Sequence, residues 1–125
     1  MTEQLDEALV ALDDAMAADG EGAEGHGWYA PELLRIKGEV LLLQAVDQST
    51  SAAEDCLNQA AQIAREQGAL FWELRVALSV ASLRVSQGRD REARAQLASV
   101  YARFTEGFAT ADLQAARTML DGLPP

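Results

Sequence analysis

Few residues of this 125-residue chain have the type and spacing that chemistry demands. Gly20-Glu21-Gly22-Ala23-Glu24-Gly25 spells G-x-G-x-x-G, the pattern whose glycines let a backbone approach a dinucleotide pyrophosphate. That use needs a strand before the motif and a helix N-terminus after it to receive the phosphates. Here a helical sequence precedes it, and Glu21 and Glu24 would repel an anion. No G-x-x-x-x-G-K-[ST] loop is present. His26, the single histidine, lies in the same glycine-rich stretch without neighbours to orient it as a base or to converge with it on a metal. Asp13 and Asp14 are adjacent, and neighbours on a helix point about 100° apart, so they share no acid–base site. Cys56 stands alone, which excludes an internal disulfide and a thiolate-rich metal site. Ala53, Leu57 and Ala60 fall on its helical face, so it reads as a small buried hydrophobe. Trp28-Tyr29 and Phe71-Trp72 each precede a helical pattern and suit anchors between hairpins better than ligand-stacking rings. The expectation is a protein that is not an enzyme, with no catalytic, cofactor or metal residues.

Charge narrows the partners. The chain carries −10, and nine carboxylates (Glu3, Asp6, Glu7, Asp13, Asp14, Asp19, Glu21, Glu24 and Glu32) lie before Arg35 with no Lys or Arg among them. So acidic a chain repels phosphate backbones, and no nucleic acid is expected as a partner. Arg84, Arg89, Arg91, Arg94 and Arg103 cluster in sequence and read as a solvated helix face and turn, or else as a docking patch for an acidic partner. The apolar run Val40 to Leu43 is too short to span a bilayer, and acids rather than a basic and apolar leader follow Met1. A soluble, cytoplasmic protein with no membrane partner is expected.

The elements that would position these residues are helical throughout. Ala, Leu, Gln, Glu and Arg dominate, and runs of β-branched residues are missing. Leu5, Ala8, Leu9, Leu12, Ala15 and Met16 predict an amphipathic helix over residues 1–18, followed by a flexible acidic, glycine-rich loop over 19–30. Pro31 opens a helix to about Val46, ended by Asp47-Gln48-Ser49-Thr50. Ser51 to Glu54 reads as a capping box for a helix that stops at Gly68. A helix from about Leu70 to Ser86 stops at Gly88, and another from Asp90 runs through Phe104. Thr105 to Phe108 turns the chain, and Thr110 caps a last helix over 110–121.

Small residues recur at fixed places. Ala8, Ala53 and Ala93 are each followed four residues on by Leu, and then by a small or medium residue three further on. Gly38 and Ala81 hold the matching small position of the intervening helices, and Gln87-Gly88 marks the turn. This pattern resembles the tetratricopeptide repeat, in which small side chains let paired helices approach closely; the spacings of 45 and 40 exceed the usual ~34. The expected fold is all-α: one domain of tetratricopeptide-like antiparallel hairpins stacked as a short right-handed solenoid of about six helices. Residues 1–18 form a lone second-type helix, 31–68 and 69–104 the hairpins, and 110–121 a capping helix. More specifically, Trp28 to Glu39, Ala60 to Gly68, Phe71 to Arg75 and Tyr101 to Phe108 with Asp112-Leu113 look like the C-terminal repeat region of large bacterial signalling proteins. In those proteins a nucleotide-binding ATPase module, with a nucleotidyl cyclase or a DNA-binding domain, precedes a tetratricopeptide-like array. The resemblance implies an interaction or sensing array and carries no catalytic activity over.

Two surfaces follow. Aligning Gly38 with Ala81 places Glu32, Arg35, Glu39, Arg75, Leu78 and Ser82 on a concave face suited to a protein or peptide, or to salt bridges within the domain. Leu5, Leu9, Leu12 and Met16 would contribute roughly 6–12 kcal/mol if buried, comparable to the stability of a whole domain. A homodimer through that face, or a partner docked at the N-terminal end, is therefore expected. A regulatory sensor binding a small ligand between helices is the alternative, and an apolar internal cavity of about 300 Å³ or more would favour it.

Overall fold

A computed structural model describes residues 2–19, 30–44 and 47–124, with the side chains of 2, 3, 5, 6, 16–19 and 47–49 outside the description. Six α-helices appear in order: α1 (Thr2–Asp19), α2 (Ala30–Leu43), α3 (Asp47–Gln67), α4 (Leu70–Ser86), α5 (Asp90–Tyr101) and α6 (Ala111–Gly122). No strand occurs among the described residues. The expected all-α chain of six helices is thus found. Gly20 to Gly25, His26 and Trp28-Tyr29 lie outside the described residues, as do the side chains of Leu5 and Met16.

Glycine fixes both tight turns. Gly68 and Gly88 have φ of 67° and 74°, a region that L side chains rarely enter. After each, the next amide returns to the last helical turn: Ala69 N to Ala64 O at 2.9 Å and Arg89 N to Arg84 O at 2.8 Å. These bonds satisfy carbonyls that a helix end leaves without partners, so α3 folds back into α4 and α4 into α5 within two or three residues.

Three helix boundaries depart from expectation. Helix α2 stops at Leu43, and Asp47 to Thr50 belong to the first turn of α3 rather than to a terminator. Short polar residues suit a first helical turn as well as a stop. Ser51 and Glu54 consequently lie inside α3 and form no capping box; Glu54 Oε1 instead accepts from Arg84 Nη1 at 2.7 Å and Gln87 Nε2 at 2.9 Å. Helix α5 ends at Tyr101, short of Phe104. Thr110 holds the N-cap position of α6, but its hydroxyl donates to Gly107 O at 2.8 Å and caps no amide.

Packing follows the small residues. Ala53, Ala60, Ala81, Ala93 and Ala116 are fully buried, and a Cβ placed on Gly38 would sit 3.1 Å from Leu57 Cγ. One apolar cluster joins Ala30 and Leu34 of α2, Cys56, Ala60 and Ile63 of α3, and Val76 of α4. A second joins Leu74 and Ala81 of α4, Ala93 and Leu97 of α5, and Leu113 and Ala116 of α6. Helix α4 takes part in both because its apolar residues occupy more than one side. It packs against α2 on one flank and α6 on the other, whereas among the described residues α1, α3 and α5 pack only on their neighbours in the chain. No described helix is long and apolar enough to cross a membrane.

Candidate functional site

Helix α4 presents two opposite faces, and each builds a different surface. At about 100° per residue, Arg75, Ser79 and Ser82 fall roughly opposite Glu73, Val76, Ala77 and Val80.

On the first face, carboxylates in the first turns of α2 and α6 converge on arginines. Glu32 and Asp112 sit where a helix N-terminus favours negative charge. Arg35 grips Glu32 with two donors, Nε to Oε2 at 2.9 Å and Nη2 to Oε1 at 2.7 Å. Arg75 Nη1 reaches the same Glu32 Oε1 at 3.0 Å, while its Nε lies 3.2 Å from Asp112 Oδ2. Arg35 Nη1 also donates to Ser79 Oγ at 3.3 Å. Hydrogen bonding to Glu32, with the nearby charges of Glu39 and Asp112, raises the Arg35 pKa above its ordinary value. One half-buried network therefore fastens α2, α4 and α6. The Arg75 guanidinium also lies 6.0 Å from the ring centre of Trp72, within cation–π range.

Of the residues expected on a concave binding face, Glu32, Arg35 and Arg75 are brought together, and Glu39 lies near enough to act on Arg35. Leu78 packs against the second apolar cluster, and Ser82 is exposed. The three central charges satisfy one another, which is the arrangement of salt bridges within the domain. Asp112 belongs to the network and was not among the expected residues; its place in the first turn of a last helix was the available signal.

The opposite face of α4 is the floor of a groove. Val76, Ala77 and Val80 form the bottom, Asn58, Ala61 and Arg65 of α3 one wall, and Gln96, Ser99, Val100 and Arg103 the other, around a volume of about 430 Å³ that opens to the surface. Its charged side chains are Arg65, Arg103 and Glu73. Glu73 is 4% exposed and accepts from Arg103 Nη1 at 2.6 Å, so its charge is spent. Arg103 remains half in solvent, and exposed Arg65 has no ion pair among the described residues. Arg65 lies in the last turn of α3 and Arg103 just past α5, where helix carbonyl ends favour cations. A second depression of about 530 Å³ shares Arg103 and adds Phe71 and Phe104, whose rings meet edge to face at 6.2 Å. The sequence reading missed this groove. A signal was present, since residues 73, 76, 77 and 80 follow the i, i+3, i+4, i+7 spacing of a second helix stripe.

The arginine cluster expected to be solvated divides. Arg84 is 8% exposed and pairs with Glu54, and its buried Nε has no hydrogen-bond partner. Arg94 donates to the carbonyls of Leu120 and Leu123 at 2.6 and 3.3 Å, closing the end of α6. Arg89 pairs with its neighbour Glu92, and only Arg91 fits the solvated description without qualification. Sequence order hides these roles because Arg84, Arg94 and Arg103 reach α3, the end of α6 and α4 respectively.

Cys56 is buried as expected, and burial raises its thiol pKa. Asp13 accepts from Lys37 Nζ at 2.6 Å, whereas Asp14 is exposed, so the adjacent pair shares no site. Leu9 and Leu12 are half-buried on α1, which packs on α2. No cluster of His, Cys, Asp and Glu able to hold a metal ion occurs among the described residues. Compared with known proteins, the chain matches no family model, no curated protein and no solved structure.

Proposed function

We propose that this chain is a non-enzymatic, tetratricopeptide-like interaction module that holds a helical segment of a protein partner, self-association included, within a bacterial signalling or regulatory system. The system is what the sequence resemblance implies. The hairpin reading draws support from the order of packing, in which α2, α4 and α6 form a row and, among the described residues, α1, α3 and α5 each join it only through chain neighbours. A stack of paired antiparallel hairpins produces that order.

The observation that carries the interaction reading is the division of α4 into a closed face and an open one. Arg35, Glu32, Arg75 and Asp112 occupy one another, while the groove between α3 and α5 keeps an apolar floor, the exposed Arg65 and the half-exposed Arg103, which is paired with buried Glu73. Helix-in-groove recognition uses such a floor for side chains spaced i, i+3, i+4 and i+7. An open groove suits a helix better than it suits a small ligand, which needs most of its surface enclosed.

A panel of synthetic amphipathic helical peptides, acidic, neutral and basic, tests this by fluorescence anisotropy. Saturable binding of at least one acidic or neutral peptide is expected, and it should disappear when exposed Ser99 is changed to Trp to fill the groove. Absence of binding across the panel, or binding unaffected by Ser99→Trp in a protein of unchanged helix content, overturns the reading.

A further inference from the structure

We infer that the occupant of the α3–α5 groove is α1 of a second copy of the chain, docked by its outward face. This rests on the groove being a helix-docking site, as proposed above.

Charge selects the occupant. The chain as a whole carries −10, yet the exposed charged side chains at the groove are Arg65, which has no ion pair among the described residues, and Arg103, which is paired with buried Glu73. Helix α1 is the opposite: it carries Glu3, Asp6, Glu7, Asp13, Asp14 and Asp19 and no basic residue. Complementary rims of this kind steer association and fix register.

Shape agrees with charge. Glu7, Val10, Ala11 and Asp14 are all exposed and follow the i, i+3, i+4, i+7 spacing, which makes one stripe of two apolar residues bounded by two carboxylates. Val10 is 60% exposed, one of the most exposed large hydrophobic residues of the chain. Among the described residues helix α1 packs on α2 alone, and this stripe meets no other helix. Val10 and Ala11 are small enough for a floor of Val76, Ala77 and Val80, and Glu7 and Asp14, about 10 Å apart along the axis, put a carboxylate at each end of the stripe. The self-association therefore uses the outward stripe of α1 rather than Leu9 and Leu12, which are half-buried. Stripe and groove are different surfaces, so the contact is heterologous.

Sedimentation equilibrium up to millimolar concentration tests the contact on the intact chain. The average mass is expected to rise above 13.4 kDa with concentration, and to fall back as salt increases from about 0.05 to 0.5 M. Arg65→Glu, Glu7→Lys and Val10→Asp, all at exposed positions, should each weaken association about ten-fold while leaving helix content unchanged. Mixing Arg65→Glu with Glu7→Lys should restore it, because the unchanged acidic stripe of the first variant then meets the unchanged Arg65 groove of the second. A monomer at every concentration, association indifferent to the three substitutions, or no recovery on mixing overturns the inference. A monomer that still binds a helical peptide in a manner sensitive to Ser99→Trp overturns the self-docking alone; a monomer that binds no peptide overturns the docking reading as well.

Discussion

Leu57 lies directly over Gly38: a methyl group added there would come within 3.1 Å of Leu57 Cγ and 3.3 Å of the Ala53 carbonyl oxygen. Leu57 is 1% exposed and the carbonyl is fixed in α3, so neither neighbour can move away freely. Replacing a helical glycine by alanine ordinarily stabilises by about 1 kcal/mol. Gly38→Ala should show none of that gain, and Gly38→Leu should destabilise by about 3 kcal/mol or more through overpacking. Urea unfolding measures both, and the full alanine gain would mean that α2 and α3 are not in close contact.

Glu32 holds two arginines on two helices. Glu32→Gln removes the charge that Arg35 and Arg75 share in a half-buried setting, and a loss of about 1–3 kcal/mol is expected. Double-mutant cycles of Glu32→Gln with Arg75→Gln should give a coupling energy of about 0.5 kcal/mol or more, since the side chains touch. Additive effects would remove the network as a fastening between α2 and α4.

Glu54 makes stability depend on acid pH. Hydrogen bonds from Gln87 and Arg84 hold its carboxyl below the ordinary value, so the folded chain binds this proton less readily than the unfolded one. The contribution is complete above the unfolded value, roughly 4.3, and is lost as pH falls through the lower folded value. Glu54→Gln should therefore cost about 1 kcal/mol at neutral pH, and the gap to the parent should close at strongly acidic pH. Thermal unfolding across that range checks it; a gap that widens toward acid contradicts the sign.

Cys56 should be chemically quiet. It is buried, and burial raises its thiol pKa, so little thiolate is present at neutral pH. Labelling by a thiol reagent should proceed at the rate of unfolding or local opening and become fast in denaturant. Immediate stoichiometric labelling of the folded protein would place the thiol at the surface.

Much of the architecture was legible because its signals are local. Gly68 and Gly88 end helices through backbone conformations that their neighbours would resist, and Ala53 and Ala93 announce close approach by size alone. The start of α3 was not legible, because Asp47 to Thr50 suit either a stop or a first turn and Ser51 with Glu54 mimics a cap. Glu54 shows why: a carboxylate competent to cap is equally competent to pair with Arg84, thirty residues away in the chain, and only packing brings that arginine near.

The sequence alone determined a helical chain, its turns, its acidic beginning and the buried faces of its helices, since periodicity and residue size act over a few residues. Tertiary structure decided which charges are spent and which are available. Arg35 and Arg75 are consumed by Glu32 and Asp112, Arg84 by Glu54 and Arg103 by Glu73, and Arg65 is left at the rim of an apolar groove. A long arginine side chain is committed by whichever carboxylate folding brings within about 3 Å, and that distance is written in the packing of helices rather than in their order.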